Sequence, residues 1–422
     1  MDGRSNRRVR RASVPGRLSP ARFPSDLSGL AASGATLRVA GRVLDRGVDS
    51  ATLADAFALI RAQGAALSEL AVGDLVVVCG EWDGQSLRVS ALEQRQIAPE
   101  PRGDGDIARL MFAGVGPKLR ARARALGVIR SYFAKEDFIE VETPLRVPAP
   151  GVDQHVEAIA AGSHWLITSP ELDMKRLVVG GVPRQFQLAR VSRREEAGHL
   201  HEAEFTLLEW YRAFAGQEEI LRDTEAVVNE VARALGKGAE LITPEGRRID
   251  VRVPFERRTV ADAFREHAEI DDVSDLAASD EERYFRLLVE LVEPALARLD
   301  RPVFLMDYPI SQAALARPSQ DPRFAERFEL YVGGVELANG YGELTDPVEQ
   351  RRRMLTEQRR REAEGRTVYP INERFLAALE AGMPPTGGNA LGVDRLLMLA
   401  LGARSVQEVM AFPQREHSPP PP

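Results

Sequence analysis

Arg190, Arg193 and Arg194 fall within five residues and are followed by Glu195 and Glu196. They come directly after a stretch that reads as a strand, 185–188, and a second strand, 206–210, returns after them. A guanidinium is planar, always charged and able to bond bidentately, so a hairpin with arginines at its turn can hold a phosphate. It can also neutralise the charge that builds as a phosphorus centre becomes five-coordinate. Taken alone, an Arg-Arg-Glu-Glu run reads equally as a solvated turn. Glu329, Glu336 and Glu343 recur every seven residues. Odd spacing alternates the faces of a strand unless a turn intervenes, and Gly333-Gly334 supplies one. Glu329 and Glu336 are therefore expected to face one another across a hairpin. Two hard carboxylates there suit Mg²⁺ bridging phosphates, while exposed strand glutamates would account for the spacing as well. Gly387-Gly388-Asn389-Ala390-Leu391-Gly392-Val393-Asp394-Arg395 leads into an apolar helix, and its glycines allow a ligand close to the backbone. Arg395 stands at that helix start, where the dipole disfavours a cation, so it needs an anion or solvent. His199 and His201 share a strand face without a third ligand nearby, which favours a loop pair over a metal site. The two commonest phosphate cradles are missing from the sequence. Lys237 lies in Gly236-Lys237-Gly238 with no hydroxyl after it, and no Gly-x-Gly-x-x-Gly joins a strand to a helix.

These groups need a scaffold. Residues 106–415 read as one large unit. Pro117 suits the first turn of a helix to about Phe133, with an apolar stripe at Leu119, Ala123, Leu126 and Phe133. Strands are expected at 139–143, 165–168, 185–188, 206–210, 328–332 and 334–338. Helices are expected at 171–180, 217–235, 279–299, 347–364, 372–381 and 394–401. Strands that succeed one another directly predict an antiparallel sheet with helices packed on it, an α+β fold. Residues 35–105 read as a small β unit and linker. Strands alternate at 36–44 and 74–82, Asp83-Gly84 turns into 86–92, and Ser50 caps a short helix bearing Leu53, Phe57 and Ile60. The unit resembles part of an OB-type barrel, expected to be truncated or remodelled. Residues 1–34 read as a disordered basic leader and 416–422 as a tail.

Composition narrows the class. The 422 residues are 44% apolar and 28% charged, as in globular proteins with a large core. The longest apolar run, Leu396 to Ala403, is far short of the ~20 residues of a membrane-spanning helix. The single cysteine, Cys79, excludes an internal disulfide and fits a reducing, cytoplasmic setting. Net charge is −7, although residues 1–22 carry seven Arg against one Asp. An acidic body argues against a protein that chiefly coats nucleic acid.

The order of these signals matches a known pattern. Residues 107 to 413 resemble the catalytic domain of class II lysyl-tRNA synthetases. The first family motif resembles the helix ending in Val141-Glu142-Thr143-Pro144, which implies a homodimer. The second resembles Phe186 to Arg190 through Glu204 to Tyr211, and the third Ala390 to Leu396. Thr168-Ser169-Pro170-Glu171, Ile310-Ser311-Gln312-Ala313, Glu336-Leu337-Ala338-Asn339-Gly340 and Ala390 are more similar to a stand-alone branch, the elongation factor P lysine-lysyltransferases. Charging enzymes usually have Gly at the place of Ala390, and Ala there is associated with β-lysine preference.

The resemblance implies an ATP-dependent ligase that activates lysine or (R)-β-lysine and attaches it to a lysine of elongation factor P, with Mg²⁺ and without tRNA or membrane. It implies catalytic roles for Arg193 and Arg395. Arg193, Arg194, Glu195, Glu202, Phe205, Glu336, Leu337, Gly392 and Arg395 would surround ATP, with Phe205 and Arg395 stacking on adenine. Glu329 and Glu336 would carry Mg²⁺. Ser169, Pro170 and Glu171 would hold the substrate amino group, and Glu209, Tyr211, Asn339, Glu343 and Ala390 would line the rest of the amino-acid pocket. Four residues depart from the family pattern. Ser192 and Arg194 replace the usual Phe and Asn, and Glu202-Ala203 replace Asn-Pro, which puts an acid where the family has an ATP contact. The 105 residues before the large unit keep a second reading open: a lysyl-tRNA synthetase with a reduced anticodon-binding domain. The altered second motif would also suit a non-catalytic paralogue.

Overall fold

Period-two alternation of buried and open side chains marks residues 59–63, 75–82 and 86–89 and builds strands there. The computed structural model describes residues 20–103, 105–151, 156–194, 198–236, 238–313 and 315–413. The chain divides into two compact units between Pro117 and Lys118. In the first, β1 (Ser33–Arg46), β2 (Ser50–Ala54), β3 (Leu59–Gln63), β4 (Leu75–Trp82) and β5 (Ser86–Gln96) close a barrel in the order β1-β2-β3-β5-β4. The expectation of a truncated barrel is thus corrected. The long β1 pairs with β2 at one end and β4 along its length, with a bulge between Val43 and Asp45 that bends it. One strand serving two partners closes the barrel within few residues.

The helix expected after Ser50 is instead the β2–β3 hairpin. Leu53 and Ile60 are paired across it and buried, while Phe57 lies in its exposed turn. The expected leader also ends earlier. Pro24–Leu27 forms a helical turn whose Leu27 is fully buried in the barrel core. Residues 1–19 and 414–422, with most of the expected leader and the whole tail, lie outside the described residues.

The second unit is built on an eight-stranded sheet. Its strands are β6 (Ile139–Glu140), β7 (Arg184–Ser192), β8 (Glu204–Ala213), β9 (Glu256–Thr259), β10 (Val303–Pro309), β11 (Phe324–Val332), β12 (Val335–Gly342) and β13 (Thr386–Gly392). They lie in the order β9-β10-β11-β12-β13-β8-β7-β6. The outer pairs, β9 with β10 and β7 with β6, are parallel, and all pairs between them are antiparallel. The α+β expectation therefore stands, with an antiparallel centre.

Helices cover one face. In α1 (Val115–Lys135), the residues buried beyond the first turn are Ala125, Ile129, Tyr132 and Phe133. Of the stripe read at Leu119, Ala123, Leu126 and Phe133, Phe133 is buried and Leu126 packs against the same core, but Ala123 is exposed, because the helix turns its Ala125–Ile129 side to the sheet. Phe133 stacks on Phe186 of β7 at 4.6 Å and tilts against Trp210 of β8 at 5.5 Å. After α2 (Glu171–Val179), α3 (Gln217–Leu235) buries Ile220, Leu221, Thr224, Val227, Val228 and Val231, the stripe of an amphipathic helix. After α4 (Pro347–Ala363) and α5 (Glu373–Gly382), α6 (Val393–Leu401) is buried almost all round. The single helix expected over 279–299 is broken. A π-type turn at Leu288–Val292 separates Glu281–Leu287 from Glu293–Ala297. Pro294 lacks the N–H that a regular helix would use there. Among the described residues no helix is long and apolar enough to cross a membrane.

Candidate active site

The face of the sheet opposite α1 and α3 carries the chemistry, and strand register sets its layout. Paired residues share a face, so one row across four strands reads Glu209, Ala390, Asn339 and Glu329. The next row, two residues along, reads Tyr211, Gly388, Tyr341 and Arg327. All eight line one cavity of about 380 Å³. Residues far apart in sequence thus become a grid. The glycine-rich segment, to which the sequence assigned no strand, is β13. Gly388 is required in it: a Cβ would lie 2.3 Å from the Tyr211 ring and 2.5 Å from Glu343 Oε1.

One end of the cavity is basic. Arg193 follows β7, donates from Nε to the Thr168 carbonyl at 3.4 Å and sits 5.2 Å from the Phe205 ring centroid. Arg395, in the first turn of α6, donates to the Leu200 carbonyl (3.2 Å), the Glu336 carbonyl (2.7 Å) and His201 Nε2 (2.6 Å). The anion it needed is the Glu336 carboxylate, 3.5 Å away. Asp394 holds the start of α6 to β8 by accepting from the Thr206 N–H at 2.7 Å and pairing with Arg122. Glu202, the unexpected acid, is buried and accepts from Gln407 Nε2 at 2.7 Å, which ties down one of its oxygens.

The two proposed metal carboxylates differ. Glu329 is buried, with Oε2 accepting from Tyr308 (2.6 Å) and Tyr331 (2.7 Å) and Oε1 from Arg327 (2.5 Å). Glu336 is more open, and burial together with the Glu329 carboxylate pushes its pKa up. They do not stand directly opposite. Glu336 pairs with Tyr331 and Glu329 with Asn339, because the two-residue turn Gly333-Gly334 sets Val335 opposite Val332 and therefore Glu336 opposite Tyr331. Both still line the cavity.

The other end is acidic. Glu209 is buried, and its carboxylate accepts from Ser169 Oγ (2.6 Å) and Tyr211 Oη (2.7 Å). Burial, reinforced by Glu171, pushes it up to about 8. Glu171 and Glu343 converge on Lys175, whose Nζ is 2.5 Å from Glu171 Oε1 and 2.5 Å from Glu343 Oε2. Burial pushes Glu343 up to about 7 despite that partner.

Most of the residues anticipated from sequence meet here. Ser169, Glu171, Arg193, Glu202, Phe205, Glu209, Tyr211, Glu329, Glu336, Leu337, Asn339, Glu343, Ala390, Gly392 and Arg395 all line the cavity. Three do not join them. Pro170 caps α2 and is buried behind it. Arg194 is exposed and donates to the Ala158 carbonyl at 3.5 Å, outside the cavity lining. Glu195 lies outside the described residues. Sequence reasoning missed Lys175, Arg327, Tyr308 and Tyr331. Lys175 had a signal: one of only four lysines, it follows Glu171 by four residues in a helix foreseen there.

Comparison with known proteins gives the family. A family model described as tRNA synthetases class II (D, K and N) matches residues 106–416. The chain belongs to this family. Among its class II relatives is a protein of Edwardsiella ictaluri named elongation factor P–(R)-β-lysine ligase. It is 41% identical over 311 residues, covering 70% of this chain and 94% of the relative. Proteins of the same name from Proteus mirabilis and Klebsiella pneumoniae subsp. pneumoniae are 40% and 39% identical over the same shares.

Proposed function

We propose that this protein is an ATP-dependent ligase. It activates (R)-β-lysine or lysine as an aminoacyl-adenylate and transfers it to a lysine side chain of elongation factor P. The observation that carries the reading is the polarity of one cavity: arginines at one end, buried carboxylates at the other. A diamino acid has two ammonium groups for the acidic end and a carboxylate to point at the basic end. In the first step a substrate carboxylate oxygen bonds to the α-phosphorus of ATP, and pyrophosphate leaves. In the second the acceptor amine nitrogen bonds to the carbonyl carbon, and AMP leaves. No protein nucleophile is needed, so positioning and charge neutralisation can carry both steps.

Arg193 would bridge the α-phosphate and substrate carboxylate, and Arg395 would meet the far phosphates or the adenine. Glu209, Tyr211 and Asn339 would receive the terminal ammonium, and Ser169 with Glu171 the other. Glu336 and the braced Glu329 are hard oxygen donors on one wall, suited to Mg²⁺, which supplies neutralisation of the phosphate charge. A homodimer belongs to the same reading. Exposed Ile139 and Leu145 flank the first family motif and would be covered by a second copy. Action on a translation factor implies a cytoplasmic setting.

The test is direct. The full chain is incubated with ATP, Mg²⁺, elongation factor P and either lysine isomer, and the acceptor's mass is followed. A gain of one lysyl residue is expected, and no gain with either isomer overturns the proposal. The relatives' names speak against tRNA charging, so lysine tRNA is expected to remain uncharged.

A further inference from the structure

The acidic end of the cavity holds more carboxylates than a substrate could use. Glu171, Glu209 and Glu343 converge there, on α2, on β8 and just after β12. Buried like charges repel strongly, and each needs a partner or a proton. The fold supplies one cation of its own. Lys175 is 1% exposed, and its ammonium bridges Glu171 and Glu343 at 2.5 Å each. It also lies 6.0 Å from the Tyr211 ring centroid. The carboxylate of Glu209 is met by the neutral hydroxyls of Ser169 and Tyr211 instead. Oε1 of Glu343 is buried without a hydrogen-bond partner among the described residues. Arg317 contributes a weaker attraction to Glu343 from outside the pocket.

We propose that Lys175 is a resident ammonium that sets the charge count of the substrate pocket. Once a bound substrate has drawn all three into the ionised form, three carboxylates against one fixed cation leave two negative charges for it. A diamino acid matches that count with its two ammonium groups. An amino acid with one ammonium leaves a carboxylate buried and unpaired, which is strongly penalised. Lys175 is thus a specificity-determining positioning residue that acts through Glu171 and Glu343. The inference rests on the reading of the cavity as a diamino-acid site.

The experiment separates the two claims. Lys-dependent exchange of pyrophosphate into ATP by the unaltered full chain tests the site reading: if neither lysine isomer supports exchange, that reading fails. The counter-ion claim is tested on Lys175→Ala by adding ethylammonium chloride, with sodium chloride at equal ionic strength as control. In the substrate-free variant, ethylammonium is expected to raise the melting temperature, a readout that needs no catalysis. It is also expected to lower the KM for the diamino acid at least tenfold, kcat changing less. No specific effect of the amine on either quantity overturns the counter-ion role. Lys175→Arg and Lys175→Met provide a second test. Lys175→Met is expected to raise KM about 100-fold, and Lys175→Arg to recover most of that loss. Equal impairment by both would mean that shape rather than charge matters, and would overturn the proposal.

Discussion

Glu209 and Ala390 are direct partners across β8 and β13, so the methyl group of Ala390 stands beside the carboxylate at the centre of the acidic pocket. Any change in that methyl alters the space in which a substrate's backbone or amino group must fit. Ala390→Gly removes it without disturbing the strand pair. One methyl in a pocket is worth about tenfold in selectivity. The ratio of kcat/KM for α-lysine over β-lysine is expected to rise by about that factor, measured by pyrophosphate exchange with each isomer.

The buried acids make stability depend on pH. Glu209 is raised from 4.5 to about 8 and Glu343 from 4.5 to about 7. Between the unfolded and folded values the native state holds protons that the unfolded chain has lost. Stability is therefore greatest below about pH 4.5 as far as these groups decide it, and is lost as pH rises towards 8. Glu171, Lys175, Tyr211 and Arg317 are the neighbouring charged or titratable groups. The melting temperature of the substrate-free protein is expected to fall by several degrees from pH 6 to pH 8. Glu209→Gln should flatten that slope and raise the KM for the amino acid. An unchanged slope would show that Glu209 is ionised throughout.

Arg193 stands where a developing phosphate charge needs a fork. Arg193→Ala is expected to lower kcat for adenylate formation about 1000-fold, as the loss of a charged transition-state contact does. Its melting temperature should stay close to that of the parent, because the Arg193 side chain lines the open cavity and its hydrogen bond to the Thr168 carbonyl is long. Burst and steady-state pyrophosphate exchange measure the first, and calorimetry the second.

Gly388 has no room for a side chain. In Gly388→Ala the new methyl would press on Tyr211 and Glu343 together. Overpacking of this kind costs about 1–3 kcal/mol, so the urea midpoint is expected to drop and amino-acid binding to weaken in parallel. Binding unchanged in a destabilised variant would separate the strand contact from the pocket.

Much of the molecule was legible from one dimension. Local spacing sufficed for the helix Gln217–Leu235, the β7–β8 hairpin with its arginines, and the Gly333-Gly334 turn between β11 and β12. Those features depend on short-range periodicity and on glycine's freedom at positive φ, which adjacent residues determine. The motif residues were legible by resemblance, and most of them do share one cavity. What stayed hidden depends on register and long-range pairing. The register of a two-residue turn put Glu336 opposite Tyr331 instead of Glu329, closure turned an apparently partial barrel into a whole one, and a glycine-rich segment to which no strand was assigned became the strand between β8 and β12. The Lys175–Glu343 contact joins a helix to a segment far along the chain, and two tyrosines from separate strands brace Glu329. Residue types and local spacing selected the chemistry. Only folding decided which charges neutralise one another, because the energy of a buried charge depends on neighbours that sequence distance does not specify.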